Sequence, residues 1–572
     1  MPGIIGFTRR EGDGDRTTLD AMQKMLRHQP FYVEDPVFSD PHVLATRTHK
    51  AIVQMDVQPI VREGIHVWLK GEFYNQHNLA TRTSHATQRY PDAALLLHLY
   101  EVDKQFRFLE RIDGIFSAVI YDSNSKSIHL ITDRYGIGYL YWTVVGGALL
   151  WASEMKAFLA YPRFHAKIDP QTLAEFFRSG YPPLSKTWFD GVELVPSGTV
   201  LTWRIKEERL QQRKYWSWSD IQPLQEPIYE EEITEEIGQL WLDSVRRRST
   251  MGDNRIGLSL SGGRDSRAIL AAMPELKYPI HAITIGDARC DDVRIARRAA
   301  NLKGATHHVF DLNGTNWLNL RTDAVWWSDG HLNLKHMHGC VTINKARELY
   351  DINLSGIVAL IGGTYVGREA DILSTRGRRF APCHVQAIDD VFFHSRLPFL
   401  DNAFVERVLA VPGKYRMNHS LYERMLLSRF PSFYRSIPWQ ETGLPIGESS
   451  PFRQKIRHLS KSVRRSALRA ARKLGVENKN SVDHRRFHNY EVWLREEPAR
   501  QFIDKILTNP NRLYPEYIDG GMVLDDWKSH LAGRNLTNQV CQALTFEIWL
   551  QQVYEGAYRS VQPAPIQSLN RQ

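Results

Sequence analysis

The spacing of apolar residues divides the chain into two parts. In residues 1–205, short runs that alternate between apolar and polar positions, bounded by glycine, predict β-strands. These runs are His66–Leu69, Phe116–Tyr121, Ser127–Thr132 and Ala148–Ala152. Helical spacing predicts two helices, near Thr18–Arg27 and Asp92–Phe106. We therefore predict a layered α+β sandwich over residues 1–205.

Strand and helix patterns alternate from Glu231 onward, after a predicted linker at 206–230 that contains Pro223 and Pro227. The predicted order is helix Glu231–Arg248, strand Ile256–Leu260, helix Ser266–Ala272, strand Ile280–Thr284, helix Asp292–Leu302 and strand His307–Phe310. Such alternation is typical of a parallel sheet, whose strands all end at one edge. Beyond about residue 316 the pattern is mostly helical, so residues 231–572 are predicted to form an α/β domain with a helical C-terminal part.

The composition of the 572 residues is that of a globular protein with room for two or three domains. The four cysteines, Cys290, Cys340, Cys383 and Cys541, lack metal-ligand or disulfide spacing, which favours reduced thiols and a cytoplasmic location. No secretion-signal pattern follows Met1, and the longest apolar stretch, Tyr139–Ala152, is broken by two glycines and predicts a hairpin.

Positive charge is concentrated at residues 452–475, where nine Lys or Arg residues stand at helical spacing without any acid. The net charge of the whole chain is +9, so this segment alone carries a charge equal to that excess. Such a helix could contact an anionic membrane, a nucleic acid or an acidic polymer. A solvated surface helix is the alternative, and the sequence favours it.

The segment Ile256–Leu270 has the pattern of a phosphate-binding loop. Leu258, Ser259 and Leu260 end a strand, Ser261-Gly262-Gly263 follows, and Asp265-Ser266 opens a helix. Paired glycines let the backbone approach an anion, the helix N terminus offers unpaired N–H groups, and Asp265 can hold Mg²⁺. No Gly-Lys-Ser/Thr follows, so the loop differs from the common nucleotide loop. It resembles the loop of enzymes that split ATP between its α and β phosphates; a plain strand–turn–helix joint is the alternative.

Two further glycine-containing segments are predicted to line the ATP site. Thr284 and Gly286 end the second strand, where adenine or ribose would lie, and Gly362-Gly363 follows an apolar run at Ile357–Ile361. Asp292 fits a helix-capping residue as well as a ligand. We also expect Arg264 and Arg267, on either side of Asp265, to add positive charge at the phosphates.

Six segments occur in the order found in the glutamine-dependent asparagine synthetases, which the chain resembles over nearly its whole length. They are Gly3–Gly6, Lys70–Asn75, Arg111–Phe116, Asp133–Ile137, Ala152–Lys156 and Pro398–Asp401. The resemblance implies an Ntn-hydrolase-like, class II glutamine amidotransferase sandwich joined to a PP-loop synthetase domain, of the adenine-nucleotide α-hydrolase-like kind, that uses ATP and Mg²⁺.

The chain departs from this family at the expected glutamine site. The resemblance implies a cysteine nucleophile where Pro2 stands and an oxyanion-binding Asn where Lys70 stands. Arg47, Gly71, Glu72 and Asp92 match positions that hold glutamine, and here we expect a structural role for them. We therefore predict a degenerate glutaminase, with Pro2 as an imine-forming amine as the remote alternative.

The synthetase half also departs from the family. The second acidic Mg²⁺ ligand is missing from its expected place, so Glu369 or Asp371 could replace it, or Asp265 could act with phosphates and water alone. The family lysine beyond Pro398–Asp401 is also missing, and Lys414, Arg416 and Arg424 are the nearest cations. We take Arg424 as the candidate catalytic residue, although Arg and Lys differ in geometry.

These observations lead to two hypotheses. The first is an ATP-dependent enzyme that joins a small-molecule or peptide carboxylate to ammonia or an amine through an acyl-adenylate, without its own glutaminase. The second is a catalytically impaired relative that serves as a scaffold or partner in a biosynthetic complex. The resemblance also implies a homodimer as one possible assembly.

Overall fold

The computed structural model describes residues 2–10, 15–80, 91–357, 372–380, 388–446 and 482–557. The strands are β1 Ile4–Thr8, β2 Val33–Glu34, β3 Phe38–Ser39, β4 Val43–His49, β5 Ile60–Arg62, β6 Ile65–Phe73, β7 Gly114–Asp122, β8 Ser127–Thr132, β9 Tyr141–Val145, β10 Ala148–Ala152, β11 Glu193–Leu194, β12 Thr199–Arg204, β13 Arg209–Lys214, β14 Ile256–Ser259, β15 His281–Ile285, β16 Thr306–Phe310, β17 Ile352–Leu354 and β18 His394–Arg396.

The α-helices of the described residues are α1 Arg16–Leu26, α2 Gln76–Ala80, α3 Asp92–Val102, α4 Pro170–Ser179, α5 Glu230–Thr250, α6 Asp265–Ala272, α7 Asp291–Lys303, α8 Arg321–Trp327, α9 Ile343–Leu349, α10 Asn402–Ala410, α11 Gly413–Arg416, α12 Ser420–Arg429, α13 Pro431–Tyr434, α14 Tyr490–Trp493, α15 Ala499–Leu507, α16 Gly520–Leu531 and α17 Thr537–Leu550. None of the helices in this part of the chain is long and apolar enough to cross a membrane.

The N-terminal half is a sandwich of two antiparallel sheets. The first has the order β11-β9-β10-β1-β4-β2, with β3 also on β4, and the second has the order β13-β12-β8-β7-β6-β5. Apolar side chains of both sheets, including Trp68 and Trp151, share one buried cluster. Helix α1 contacts β1 and β4 on one side, and α3 contacts β6 on the other. This arrangement agrees with the predicted layered α+β half.

The first half extends further along the chain than the predicted boundary at residue 205. Strand β13 lies within the predicted linker 206–230 and pairs with β12 from Arg209 to Lys214. Tyr215 and Trp216, which follow it, are buried. The alternation of apolar and polar positions does not predict β13, because an exposed, charged edge strand has no apolar face to bury.

The C-terminal half contains a five-stranded parallel sheet in the order β16-β15-β14-β17-β18. The chain adds β15 and β16 on one side of β14 and β17 and β18 on the other, so the carboxyl end of β14 lies at a topological switch point. Strand β17 is Ile352–Leu354, in register with Ile256–Leu258. The apolar run Ile357–Ile361, predicted as a strand, lies outside the described residues except for Ile357, which lies in a turn beyond β17.

A chain of buried ion pairs joins the two halves. Glu72 of β6 accepts two hydrogen bonds of 2.8 Å from Arg396 of β18. Arg396 also donates to the carbonyl oxygen of Arg248, whose guanidinium bonds Asp401 at 2.8 Å and Asp113 at 3.2 Å. Burial by itself would raise the pKa of Glu72, but the charges of Arg396 and His394 outweigh it and hold the pKa well below its ordinary value.

Replacing Glu72 with Gln should destabilise the protein by about 3–5 kcal/mol near pH 7, because Arg396 would remain buried without a counter-charge. The folded-state pKa of Glu72 is lowered, so its contribution is present above the unfolded pKa and is lost as the pH falls. The difference between wild type and variant should therefore shrink below about pH 4.5. Urea unfolding, followed by tryptophan fluorescence across this pH range, measures both effects.

The matched control is Glu101→Gln, because Glu101 pairs with Arg62 at the surface, where ion pairs contribute about 1 kcal/mol or less. Equal stability of the Glu72 and Glu101 variants at pH 7 would contradict the proposed weight of the buried pair.

Candidate functional site

The predicted phosphate loop lies at the carboxyl end of β14 and leads into α6. Ser259, the last residue of β14, is exposed, whereas Leu258 and Leu260 are buried in the core below it. The N–H of Gly263 donates to the Ser261 hydroxyl at 3.1 Å, and the N–H of Ser261 donates to the Ser266 hydroxyl at 3.1 Å. The loop is thus held in shape by its own serine side chains.

Open space lies next to Gly263, where an added Cβ would meet only the Ser261 hydroxyl within 4 Å. The adjacent N terminus of α6 supplies backbone N–H groups and a favourable dipole for an anion. The loop therefore fits a phosphate group.

Asp292 and Gln440 fix the position of Gly262. The N–H of Gly262 donates to one carboxylate oxygen of Asp292 at 2.9 Å, and the Gln440 side chain donates to the other at 3.0 Å. The Gln440 N–H donates to the Gly262 carbonyl at 3.2 Å. A Cβ on Gly262 would lie 2.8 Å from the Cβ of Gln440. Gly262 thus serves close packing, and Asp292 positions the loop in addition to lying in the first turn of α7.

Asp265 is the first residue of α6, beside the loop. The Tyr422 hydroxyl donates to its carboxylate at 2.9 Å. Burial is the largest influence and raises the pKa of Asp265, while the Tyr422 hydrogen bond and the charges of Arg264 and Arg267 oppose it. A bound cation would favour the ionised carboxylate in the same direction.

The expectation that Arg264 and Arg267 supply positive charge to phosphates is not supported. Arg264 donates to Glu423 at 2.8 Å and stacks on Trp439, with 4.0 Å between the guanidinium carbon and the ring centroid. Arg267 is fully buried and donates to the Gly263 carbonyl at 2.8 Å and to the Ile437 carbonyl at 3.2 Å. Both arginines brace the loop against the segment that follows α13.

Arg424 does not face the loop, in contrast to its predicted catalytic role. It pairs with Glu230 at the start of α5. Tyr422 and Glu423 on the same helix contact Asp265 and Arg264, and each further residue turns about 100° around a helix, which directs Arg424 elsewhere. Of the other two candidate cations, Lys414 pairs with Glu226, and Arg416 donates to the Val411 carbonyl at 2.8 Å.

Thr284 and Gly286 lie beside the loop, at the end of β15. The Thr284 hydroxyl donates to the Leu260 carbonyl at 2.7 Å and lies 2.8 Å from His307 Nε2. Burial, followed by the charge of Arg297, lowers the pKa of His307 to about 4. At Gly286 φ is +136°, and an added Cβ would lie 3.0 Å from Cys290 Sγ and from Phe487 Cβ. Thr284 therefore secures the start of the loop, and Gly286 permits close packing.

Ser355 and Gly356 form the other wall of the site and were missed from the sequence. They follow β17, and a Cβ on Gly356 would lie 3.3 Å from the Cβ of Asp265. A strand placed at Ile352–Leu354 would have predicted them, because neighbouring parallel strands end at the same edge of a sheet. The predicted residues Gly362, Gly363, Glu369 and Asp371, and the basic segment 452–475, lie outside the described residues.

Within the described ranges, no group of three His, Cys, Asp or Glu side chains is arranged to hold a metal ion. Asp265 is consequently the carboxylate that this part of the chain offers to Mg²⁺ at the loop. The ion ordinarily takes one or two carboxylates together with phosphate oxygens and water, so the residues present fit it.

Pro2, Arg47, Lys70 and Gly71 line one cavity. Arg47 is 1% exposed, and its guanidinium donates to Asp35 at 2.6 Å and to the Asp56 carbonyl at 2.8 Å. Gly71 has a φ of +111°, and an added Cβ would lie 2.1 Å from the Ile115 carbonyl oxygen. The structure thus brings these four predicted residues together.

The two carboxylates of the predicted glutamine site are also bonded within the protein. Glu72 pairs with Arg396 and, at 3.0 Å, with His394. Asp92 accepts from the Phe73 N–H at 3.0 Å and from the side chains of Gln54 and Gln76. Together with the Arg47–Asp35 pair, these contacts agree with the structural role expected for Arg47, Glu72 and Asp92.

The fold and the two sites define a two-part protein in which an amidotransferase-type sandwich precedes an α/β half with a phosphate loop. Residues 1–216 match the family described as glutamine amidotransferase domain, and residues 236–359 and 393–551 match asparagine synthase. Because these matches together cover most of the chain, the protein belongs to the asparagine synthase family with an N-terminal glutamine amidotransferase domain.

Individual relatives are more distant. Asparagine synthetase (glutamine-hydrolyzing) 2 of Bacillus subtilis is 30% identical over 40% of this chain and 32% of its own length. Amidase chyE of Penicillium rubens is 28% identical over 54% of this chain and 48% of its own length. The chain thus spans a third to a half of these curated relatives. A solved glutamine phosphoribosylpyrophosphate amidotransferase of B. subtilis aligns with 54% of this chain and 80% of its own, at 12% identity and a TM-score of 0.28.

The loop geometry predicts that an alanine at Gly262 disturbs the loop, whereas an alanine at Gly263 leaves the fold unchanged. Gly262→Ala should weaken ATP binding by about tenfold or more, because the added Cβ displaces Gln440 and with it the bond between Asp292 and the loop. Gly263→Ala is the matched control for folding, since its Cβ meets only the Ser261 hydroxyl. Calorimetric titration with ATP, together with thermal unfolding, measures both variants. Unchanged ATP affinity in Gly262→Ala would contradict the assigned packing.

Proposed function

We propose that the protein is an ATP-dependent ligase that activates a carboxylate as an acyl-adenylate and joins it to ammonia or an amine. One observation carries the proposal: the open Gly263 backbone and the N terminus of α6 stand beside the Asp265 carboxylate at the end of a central parallel strand. Membership in the asparagine synthase family supports it.

In the proposed reaction, an oxygen of the substrate carboxylate attacks the α-phosphorus of ATP, and the bond to the β-phosphate oxygen breaks. The N–H groups at the start of α6 hold the departing pyrophosphate, because those of Ser261, Gly262 and Gly263 already donate to side chains. Mg²⁺ bound by Asp265 and the phosphate oxygens would neutralise the charge on the leaving group. The amine then attacks the acyl carbon, AMP leaves, and the amine proton passes to solvent or to the departing phosphate.

We infer that the nitrogen comes from outside the protein's own N-terminal half. Pro2 has no side-chain nucleophile, and Arg47, which matches a glutamine-holding position of relatives, is already paired with Asp35. Free ammonia or an amine on a second substrate is therefore the proposed nucleophile.

The scaffold hypothesis remains the second candidate function. It is favoured by the described surroundings of Asp265, where Glu423 neutralises Arg264 and the three cations Lys414, Arg416 and Arg424 are directed to other partners. A protein of this kind would bind nucleotide without forming an adenylate.

Exchange of labelled pyrophosphate into ATP, assayed over a panel of carboxylates, separates the two candidates. Asp265→Asn should lower the exchange rate about 100-fold or more, because the variant loses the carboxylate that would hold Mg²⁺ against the leaving group. Folding should survive, since the Tyr422 hydroxyl can donate to the Asn oxygen. Asp253→Asn, at an exposed pair with Lys277, is the matched control and should leave the rate unchanged. ATP binding without exchange for any carboxylate would instead favour the scaffold.

Incubation with glutamine should release no glutamate above the enzyme-free blank, because the N-terminal site lacks a nucleophile. Pro2→Cys alone should remain inactive as well, since Lys70 stands where the family has its oxyanion-binding Asn, and Arg47 stays bonded to Asp35. A glutamate dehydrogenase-coupled assay measures both proteins. Glutamate release by the unmodified protein would refute the assignment of a degenerate glutaminase.

A further inference from the structure

A crevice between the two halves lies at the edge of the parallel sheet opposite to the phosphate loop. Arg255, Asp351 and Phe392 line it, and they stand just before β14, β17 and β18, so the crevice lies at the amino ends of these strands. Helix α9 and residues 50–52, which follow β4, form the other walls. The crevice has a volume of about 480 Å³, which is the size of a small-molecule site.

One positive charge in this crevice has no counter-charge. Three ion pairs account for the other charged residues of the lining, and they are Arg255–Asp351 at 2.8 Å, Lys50–Asp390 at 3.7 Å and Lys345–Glu348. Arg347 of α9 remains, because no carboxylate of the described residues lies within ion-pair distance of its guanidinium. The excess of one positive charge favours a ligand with one negative charge, and the nearby Glu348 and Asp351 would repel a second one.

The guanidinium of Arg347 is held with its N–H groups available to a ligand. Its central carbon lies 3.2 Å from the ring centroid of Phe31, a residue of the N-terminal half. Stacking of this kind uses the face of the guanidinium and leaves the donors on its edge, which match the two oxygens of a carboxylate. Arg347 is thus oriented by one half of the protein while it belongs to the other.

Two uncharged polar side chains of the lining also lack partners. Tyr350 is 2% exposed, and neither its hydroxyl nor the Asn344 amide has a hydrogen-bond partner within the described ranges. A buried hydroxyl without a partner costs stability, which an acceptor on a ligand would recover. Seven of the ten lining residues are polar, and Ala51, Ile52 and Phe392 are the others, so a polar ligand suits the crevice better than an apolar chain does.

We propose that this crevice binds a small polar monocarboxylate, whose carboxylate pairs with Arg347 and whose polar substituent bonds Asn344 and the Tyr350 hydroxyl. The site is distinct from the cavity around Pro2, because Lys50 alone lines both and its ammonium group is already bonded within the protein. The proposal is also independent of the ligase reaction, because it uses no residue of the phosphate loop.

Calorimetric titration of the full chain with lactate, lactamide, malonate and butyrate tests the proposal. Lactate should bind with a Kd of about 1 mM or tighter, and the other three compounds about fivefold more weakly or worse. Lactamide has nearly the same shape without the charge, malonate carries a second negative charge, and butyrate has an apolar chain in place of the hydroxyl. Failure of lactate to bind at about 20 mM, or equal binding of any of the other three, would overturn the proposal.

Three variants locate the binding. Arg347→Gln removes the charge and should weaken lactate binding about tenfold or more, and it should fold because Arg347 is exposed. Tyr350→Phe should weaken binding several-fold by removing one donor, while the ring keeps its packing against Phe393. Arg213→Gln, at an exposed arginine of β13, is the matched control and should bind lactate as the unmodified protein does. Lactate binding that is unchanged in both Arg347→Gln and Tyr350→Phe would refute the location.

Discussion

The chain of buried charges from Glu72 through Arg396 and Arg248 to Asp113 and Asp401 determines how the two halves of the protein are joined. Removing an ion from water costs several kcal/mol, and a buried pair offsets this cost only when its partner and hydrogen bonds are in place. Arg248 and Arg396 lie at 0% and 1% exposure, and each has a carboxylate from the other half. A displacement of one half would leave several buried charges unpaired at once, so the relative position of the halves is tightly constrained.

The geometry of the phosphate loop depends on a second layer of contacts. Asp292 holds the Gly262 N–H, Thr284 holds the Leu260 carbonyl, and Arg267 joins the Gly263 carbonyl to the segment after α13. None of these three side chains needs to touch a nucleotide to matter, because each fixes the backbone conformation of the loop. Donors that are positioned before the substrate binds cost no reorganisation during the reaction. The conformation of the loop therefore depends on the surrounding segments as much as on its own glycines.

The local parts of this arrangement could be predicted from the sequence, and the non-local parts could not. The bounds of β14–β16, α6 and α7 fall within about two residues of prediction, because period and capping signals are local. The short segment Ile352–Leu354 has too few residues to show a strand period, and only its pairing with β14 identifies it as a strand. Likewise, the sequence does not show that α12 presents Glu423, and not Arg424, to the loop, because packing determines how a helix is rotated about its axis.

Several of the segments that carry the family resemblance contain residues of ion pairs between the halves. Glu72 and Asp113 pair with Arg396 and Arg248, while Lys156 pairs with Asp329 at 2.9 Å beneath the sandwich. Pro2 is not a member of these pairs. The N-terminal half therefore has a structural role whatever its chemistry, because it supplies the carboxylates that pair with the buried Arg248 and Arg396. Resemblance in these segments therefore reflects the contacts between the two halves, and it is not by itself a sign of the reaction.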